Sequence, residues 1–164
     1  MTTSLAHTYH DGGRAAAGYR GHTRDCSVRA WAIVTGRPYQ EVYDRLWALS
    51  RLVDGRRHKR RRRGPRGHSL SPRAGVSVKA LHLYAAEVGW EWTPTMTIGS
   101  GCRVHLRYDE LPAGKLVARV SRHVCAVLDG TVHDTHNPSR AGTRCVYGYW
   151  RPIATGFRGW PLPH

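Results

Sequence analysis

No run of apolar residues approaches the roughly 20 that cross a bilayer as a helix, and residues 1–13 lack the basic-then-apolar order of a secretory signal. A soluble protein of the cytoplasm is the expectation. No C-x-x-C pair joins any two of Cys26, Cys102, Cys125 and Cys145, which argues against a zinc ribbon or a thioredoxin-like redox motif. A cytosolic disulfide is not expected either, so the four read as free thiols, most of them buried as small apolar residues. Acidic residues are scarce, 11 Asp and Glu against 26 Lys and Arg for a net charge of +15, and among the cations only Lys59, Lys79 and Lys115 are lysines. Such an excess attracts any polyanion, whether or not binding one is the protein's task. Apolar side chains are not lacking: they make up 40% of the chain, with six Trp and eight Tyr, which excludes disorder over the whole length. With 164 residues, one domain is expected.

Residues 1–24, with glycines at 12, 13, 18 and 21 and little apolar periodicity, read as an extended N-terminal segment. The domain proper is placed at 25–151. CSVRAWAIVT (26–35) is apolar nearly all round, as a buried helix is, with Asp25 available to cap its start and Gly36 to end it. Pro38 fits the first turn of a second helix, where Val42, Leu46, Leu49 and Val53 recur on one face before Gly55. Residues 55–75 combine self-repelling arginines with Gly64, Pro65, Gly67 and Pro72 and read as a basic flexible loop. A third helix is predicted over 77–89, with Val78, Leu81, Tyr84, Ala85 and Val88 on one face.

From Trp90 onward the character is β. KLVARVS (115–121), HVCAVL (123–128), TVHDT (131–135) and CVYGYW (145–150) read as strands, and Asp129-Gly130 is a strong two-residue hairpin signal. Residues 152–164 form a Pro/Gly-rich tail. The fold class is α+β, a helical N-terminal half packed on a C-terminal antiparallel sheet, with Trp31 and Trp90 assigned to the core.

Two places carry chemistry. Cys26 opens a buried helix, where free backbone N–H groups and the helix dipole favour thiolate over thiol and where an oxyanion could be held. If Asp129-Gly130 is a two-residue turn, residue 128 pairs with 131, 126 with 133 and 125 with 134. His123 and Asp134 then become diagonal neighbours on one face, a base with an acid able to orient its ring.

D-C-S-V-R-A at 25–30, followed about a hundred residues later by R-H-V-C-A-V-L-D-G-T-V-H-D-T, resembles the papain-like cysteine peptidase superfamily, in particular its small bacterial and phage-encoded members and the bacteriocin-leader peptidase type. The resemblance covers roughly residues 20–150 and rests on those two motifs. It implies Cys26 as nucleophile, His123 as general base and acid, and Asp134 as the residue that orients the imidazole. It implies a peptide or protein substrate, no cofactor and no metal, and a place in the host cytoplasm or the virion if the chain is phage-encoded. Such enzymes usually carry a Gln about six residues before the nucleophile, where this chain has Arg20. Thr23, His22 or the region of Asp25 would then serve the oxyanion, or backbone alone. Asn137 is the rival to Asp134 for the third position.

Other readings compete. The same triad serves transglutaminase-like acyl transfer, and a catalytically silent relative would be kept for binding. Arg56, Arg57, Lys59, Arg60, Arg61, Arg62, Arg63 and Arg66 suit a nucleic acid or another acidic partner, although base readout needs an ordered element docked in a groove. A zinc site of His123, Cys125, His133 and His136 is disfavoured, since His133 points away from the others on a strand.

Overall fold

The computed structural model describes residues 4–61 and 71–154. It is an α+β fold of three helices and one mixed six-stranded sheet, in the chain order β1 (Ala6–Tyr9), α1 (Cys26–Thr35), α2 (Tyr39–Arg61), α3 (Val78–Glu87), β2 (Trp90–Pro94), β3 (Lys115–Val120), β4 (His123–Leu128), β5 (Thr131–Asp134) and β6 (Val146–Pro152). The strands lie in the order β1-β5-β4-β3-β6-β2. All neighbours run antiparallel except β1, which pairs parallel with β5. Among the described residues no helix is long and apolar enough to cross a membrane.

The sheet therefore departs from the purely C-terminal, antiparallel sheet that the sequence predicts. The segment before residue 24 supplies an edge strand, because four residues with one alternation are too short to register as a period. A one-turn 3₁₀ helix (Pro72–Ala74) precedes α3, with Pro72 buried. The second helix does not stop at Gly55 but runs on to Arg61, so the predicted loop begins later than expected. An interior glycine costs only about 1 kcal/mol relative to alanine, and the Arg and Lys that follow are good helix formers. Residues 56, 57 and 59–61 of the basic run thus lie on the last turns of α2, while Arg62, Arg63 and Arg66 lie outside the described residues.

The all-apolar pattern of α1 has its expected consequence. Val28, Ala30, Trp31, Ala32 and Val34 are all buried, and Gly36, at φ 70°, donates its N–H to the carbonyl of Ala32 to close the helix, a left-handed position glycine occupies without steric cost. Ser77 caps α3 through its hydroxyl, which accepts from the amide of Ala80. Between the helices and the sheet, Trp31 packs against Tyr84, Trp90 and Trp150 with ring centroids 5.2, 5.2 and 5.9 Å away. The core assignment of Trp31 and Trp90 holds. The opposite face of the sheet forms a second core around Leu116, Cys125, Val127, Val132 and Val146, covered by Leu5 and Leu106.

Cys102 and Cys145 are joined in a disulfide, with their Cα atoms 5.8 Å apart, against the expectation of four free thiols. Nothing in their spacing of 43 residues announces the bond. The residues beside them are brought together by the isolated antiparallel bridge of His105 with Cys145, a tertiary event with no local sequence signal.

The N-terminal segment crosses α1 closely at Gly12. A Cβ placed there would sit 2.8 Å from the Cα of Arg29, and the backbone φ is +68°. Gly12→Ala is expected to destabilise the protein by about 1–3 kcal/mol, since a left-handed alanine is strained and its methyl has backbone, not a movable side chain, in its way. Chemical denaturation of the two proteins checks this; an unchanged midpoint would mean that the crossing is looser than described.

Candidate active site

The hairpin comes first, because it sets two of the three side chains. Asp129 and Gly130 have φ of 45° and 77°, both positive as a type I′ turn requires. Residue 128 pairs with 131, 127 with 132 and 126 with 133, the predicted register. At the open end of this hairpin His123 begins β4 and Asp134 ends β5, and Nε2 of His123 lies 2.5 Å from Oδ2 of Asp134. With Nε2 so engaged, Nδ1 is the ring nitrogen left to face the thiol of Cys26, which lines the same cleft and interacts with the imidazole. Cys26, the first residue of α1, packs there because α1 lies against β4. Cys26, His123 and Asp134, distant in the chain, are thus brought together in the order sulfur, imidazole, carboxylate.

The electrostatics match the geometry. Burial opposes a thiolate at Cys26, but the hydrogen bond and charge of His123, the backbone of Val124 and the charge of Arg29 together hold its pKa below that of a free thiol. Burial likewise opposes the imidazolium of His123, and the hydrogen bonds and charges of Asp134 and Cys26 outweigh it, raising the pKa to about 9. Burial raises and His123, the amide of Thr135 and Arg29 lower the pKa of Asp134, with a net shift downward. The three groups therefore favour a thiolate–imidazolium pair backed by a carboxylate. Cys125, two residues from His123, contrasts with Cys26: complete burial pushes its thiol far up, so it is a core residue and no nucleophile.

Asp25 does not cap α1 with its side chain, as the sequence suggests it could. It is fully buried and gathers three partners: it accepts hydrogen bonds from Nη1 of Arg29 at 2.5 Å and the hydroxyl of Tyr39 at 2.6 Å, and it forms an ion pair with Nε of Arg14 at 2.8 Å. Turned toward these cations, it lies in a network of opposite charge, which removes the conflict expected of a carboxylate next to a nucleophilic cysteine. The same Arg29 reaches Oδ1 of Asp134 with Nη2 at 3.3 Å, so one guanidinium fork ties the start of α1 to the third member of the triad. Sequence reading missed Arg29, Arg14 and Tyr39. A signal existed for Arg29, since an arginine inside an otherwise apolar, buried helix needs a buried partner, and Asp25 precedes it by one helical turn.

Of the remaining candidates, Thr23 lines the cleft over Cys26, but its hydroxyl is buried and makes no hydrogen bond. Asn137 is exposed and accepts from the amide of Ser139, a turn contact, so Asp134 and not Asn137 adjoins the imidazole. Arg20, at the position of the missing Gln, has its carbonyl taken up by Arg14 and Arg73. His22 lines the cleft and is exposed. The backbone amides of the first turn of α1 have no intrahelical acceptor and are the donors nearest in sequence to the sulfur.

His136 tilts against His123 with ring centroids 4.9 Å apart. Its ligand atom and those of His123 and Asp134 lie within 4.8 Å of one another, a geometry a metal ion could exploit. The 2.5 Å contact between His123 and Asp134 is instead that of a direct charge-assisted hydrogen bond, and Arg29 places a positive charge on the same carboxylate. The alternative set with His133 and Cys125 does not assemble: Cys125 is buried in the second core, and His133 packs against His10.

Cys26 and His123 open on a cleft of about 850 Å³. Comparison with known proteins gives no matching family, no matching curated protein and no matching solved structure.

Proposed function

We propose that the protein is a papain-like cysteine hydrolase of the peptidase or amidase type, acting on a peptide or protein. The observation that carries this reading is the convergence of Cys26, His123 and Asp134, with the thiol and imidazole pKa values shifted toward each other's charged partner. The thiolate of Cys26 attacks an amide or thioester carbonyl, forming a carbon–sulfur bond while the carbonyl π electrons move to oxygen. The oxyanion is held by the amide of Cys26 and its neighbours at the start of α1. His123 gives its proton to the leaving amine or thiol as that bond breaks, and a thioester acyl-enzyme remains. Water then attacks the thioester, His123 takes its proton, and collapse of the second tetrahedral adduct releases the acid and restores the thiolate. Asp134 keeps the ring in the tautomer and orientation that point Nδ1 at sulfur. No step requires a cofactor.

The test is alkylation by iodoacetamide over a range of pH, with mass mapping of each cysteine, alongside turnover of a peptide library. Cys26 is expected to be modified selectively below neutral pH. Turnover should rise as the ion pair forms and fall as His123 loses its proton near pH 9, the two limbs belonging to the coupled pair and not to either residue alone. Slow modification of Cys26 that tracks an unperturbed thiol, together with no turnover, would reduce residue 26 to a structural cysteine.

A further inference from the structure

The charge of the cleft is one-sided. Among the described residues, five arginines and three histidines line it and no Asp or Glu does. Two of those arginines are committed: Arg14 to Asp25 and to the carbonyls of Arg20 and Gly21, and Arg29 to Asp25 and Asp134. The side chains of Arg24 and Arg122 have no partner among the described residues, and Arg119 only lies over the ring of Tyr147, 5.5 Å from its centroid. A second cavity of about 450 Å³ adjoins the first at Arg122, His123 and His136 and adds Arg140 and Arg144, again with no carboxylate. Arg144 is committed to the carbonyl of Ser121, and the uncommitted cations Arg24, Arg122 and Arg140 therefore line the two cavities that meet at His123. The molecule's other carboxylates near arginines are taken up elsewhere, Glu41 by Arg37, Glu87 by Arg45, Glu91 by Arg151 and Glu110 by Arg107.

Arg122 adds an independent observation. It occupies the second position of the two-residue turn between β3 and β4 with φ of 57°, a left-handed backbone that costs an L residue about 1 kcal/mol and that glycine would relieve. The strained residue lines both cavities.

We propose, building on the hydrolase reading above, that this cleft selects an acyl donor of acidic character, a polypeptide with carboxylate side chains on both sides of the scissile amide. Like-signed walls of low dielectric focus the field and raise the local concentration of the opposite charge, and a guanidinium with no internal partner is free to take a carboxylate bidentately. A polynucleotide would answer the same cations, but it offers no acyl carbon to the sulfur at the floor of the cleft.

The experiment measures protection of Cys26 from iodoacetamide by three probes: a short peptide with glutamates on both sides of an Ala–Ala pair, its lysine counterpart, and a short single-stranded DNA. At low salt the glutamate peptide is expected to slow alkylation roughly tenfold, with the effect fading as salt screens the exposed charges, while the lysine peptide leaves the rate unchanged and the DNA, which reaches the same cations but has no acyl group to seat against the sulfur, slows it less. The double variant Arg24→Glu, Arg122→Glu should exchange the preference between the two peptides. Equal protection by both peptides, protection by DNA to the same degree, or an unchanged preference in the double variant would each overturn the proposal, the last assigning the attraction to the basic run at 56–66. Protection is binding, so it reports separately from turnover. Acidic peptides that protect Cys26 without being cleaved would remove the hydrolase reading and leave the ligand class standing, whereas cleavage of basic or neutral peptides in preference to acidic ones would remove the ligand class alone.

Discussion

Replacing His123 with alanine is expected to slow the alkylation of Cys26 at pH 6 by up to about a hundredfold. A thiol with an unperturbed pKa near 8.5 is only about 0.3% thiolate at that pH, and the lower intrinsic nucleophilicity of a low-pKa thiolate offsets part of the difference. The thiol of Cys26 is held down against burial chiefly by the hydrogen bond and charge of His123, so removing the ring leaves burial to push the thiol upward. The pH profile of labelling should move to the alkaline side as a whole. Asp134→Asn should move it the same way by a smaller amount, since Arg29 remains and only the charge that supports the imidazolium is lost. Cys125 serves as the internal control: buried in the second core, it should stay slow in all three proteins unless the fold opens. Labelling of Cys26 that is indifferent to the loss of His123 would break the link between the two residues, and with it the mechanism.

The convergence of Cys26, His123 and Asp134 was open to sequence reading because each step had a local signal. Asp129-Gly130 sets the hairpin register, the register brings His123 to Asp134, and the absence of a polar face on 26–35 buries the helix that Cys26 begins. What escaped reading depends on contacts between distant segments. The edge strand Ala6–Tyr9 exists only because β5 offers it a partner in parallel, and its residues are exposed, so no buried alternation marks them. The Cys102–Cys145 bond is decided by where the loop before β3 is laid down. The extension of α2 past Gly55 is set by the competition of a small glycine penalty with the helix preference of arginine. Of the side chains the sequence offers for the oxyanion, Asp25 is engaged by Arg29 and Tyr39, His22 is exposed at the cleft, and Thr23 lines the cleft with a hydroxyl that has no hydrogen-bond partner among the described residues. The sequence lacks a Gln at residue 20, and the donors available in its place are the first-turn amides of α1 and the hydroxyl of Thr23.

The largest effect on stability is expected at Arg29. It is nearly buried, at 8% exposure, between Asp25 at 0% and Asp134 at 3%, and among the described residues it is the one group that contacts both carboxylates. Arg29→Met fills a similar volume but leaves two buried carboxylates with fewer cations around them. Removing one partner of a buried ionic cluster costs about 3–5 kcal/mol, because the charges left behind are neither solvated nor paired. Arg14 and the hydroxyl of Tyr39 still face Asp25, and His123 and the amide of Thr135 still face Asp134, so the loss is expected at the lower end of that range and falls on the Asp134–His123 side, which keeps no other arginine among the described residues. Arg29 is thus a positioning residue, and a purely structural role would lower the denaturation midpoint without touching the chemistry. The distinguishing measurement is the pH profile of Cys26 alkylation, made under conditions where the variant is folded. The loss of the positive charge beside both the thiol and Asp134 should move the acidic limb to higher pH. Arg29→Lys, which restores the charge but not the two-pronged geometry, should recover part of the profile and less of the stability. A methionine variant as stable as the parent and titrating like it would show that the fork between Asp25 and Asp134 contributes to neither.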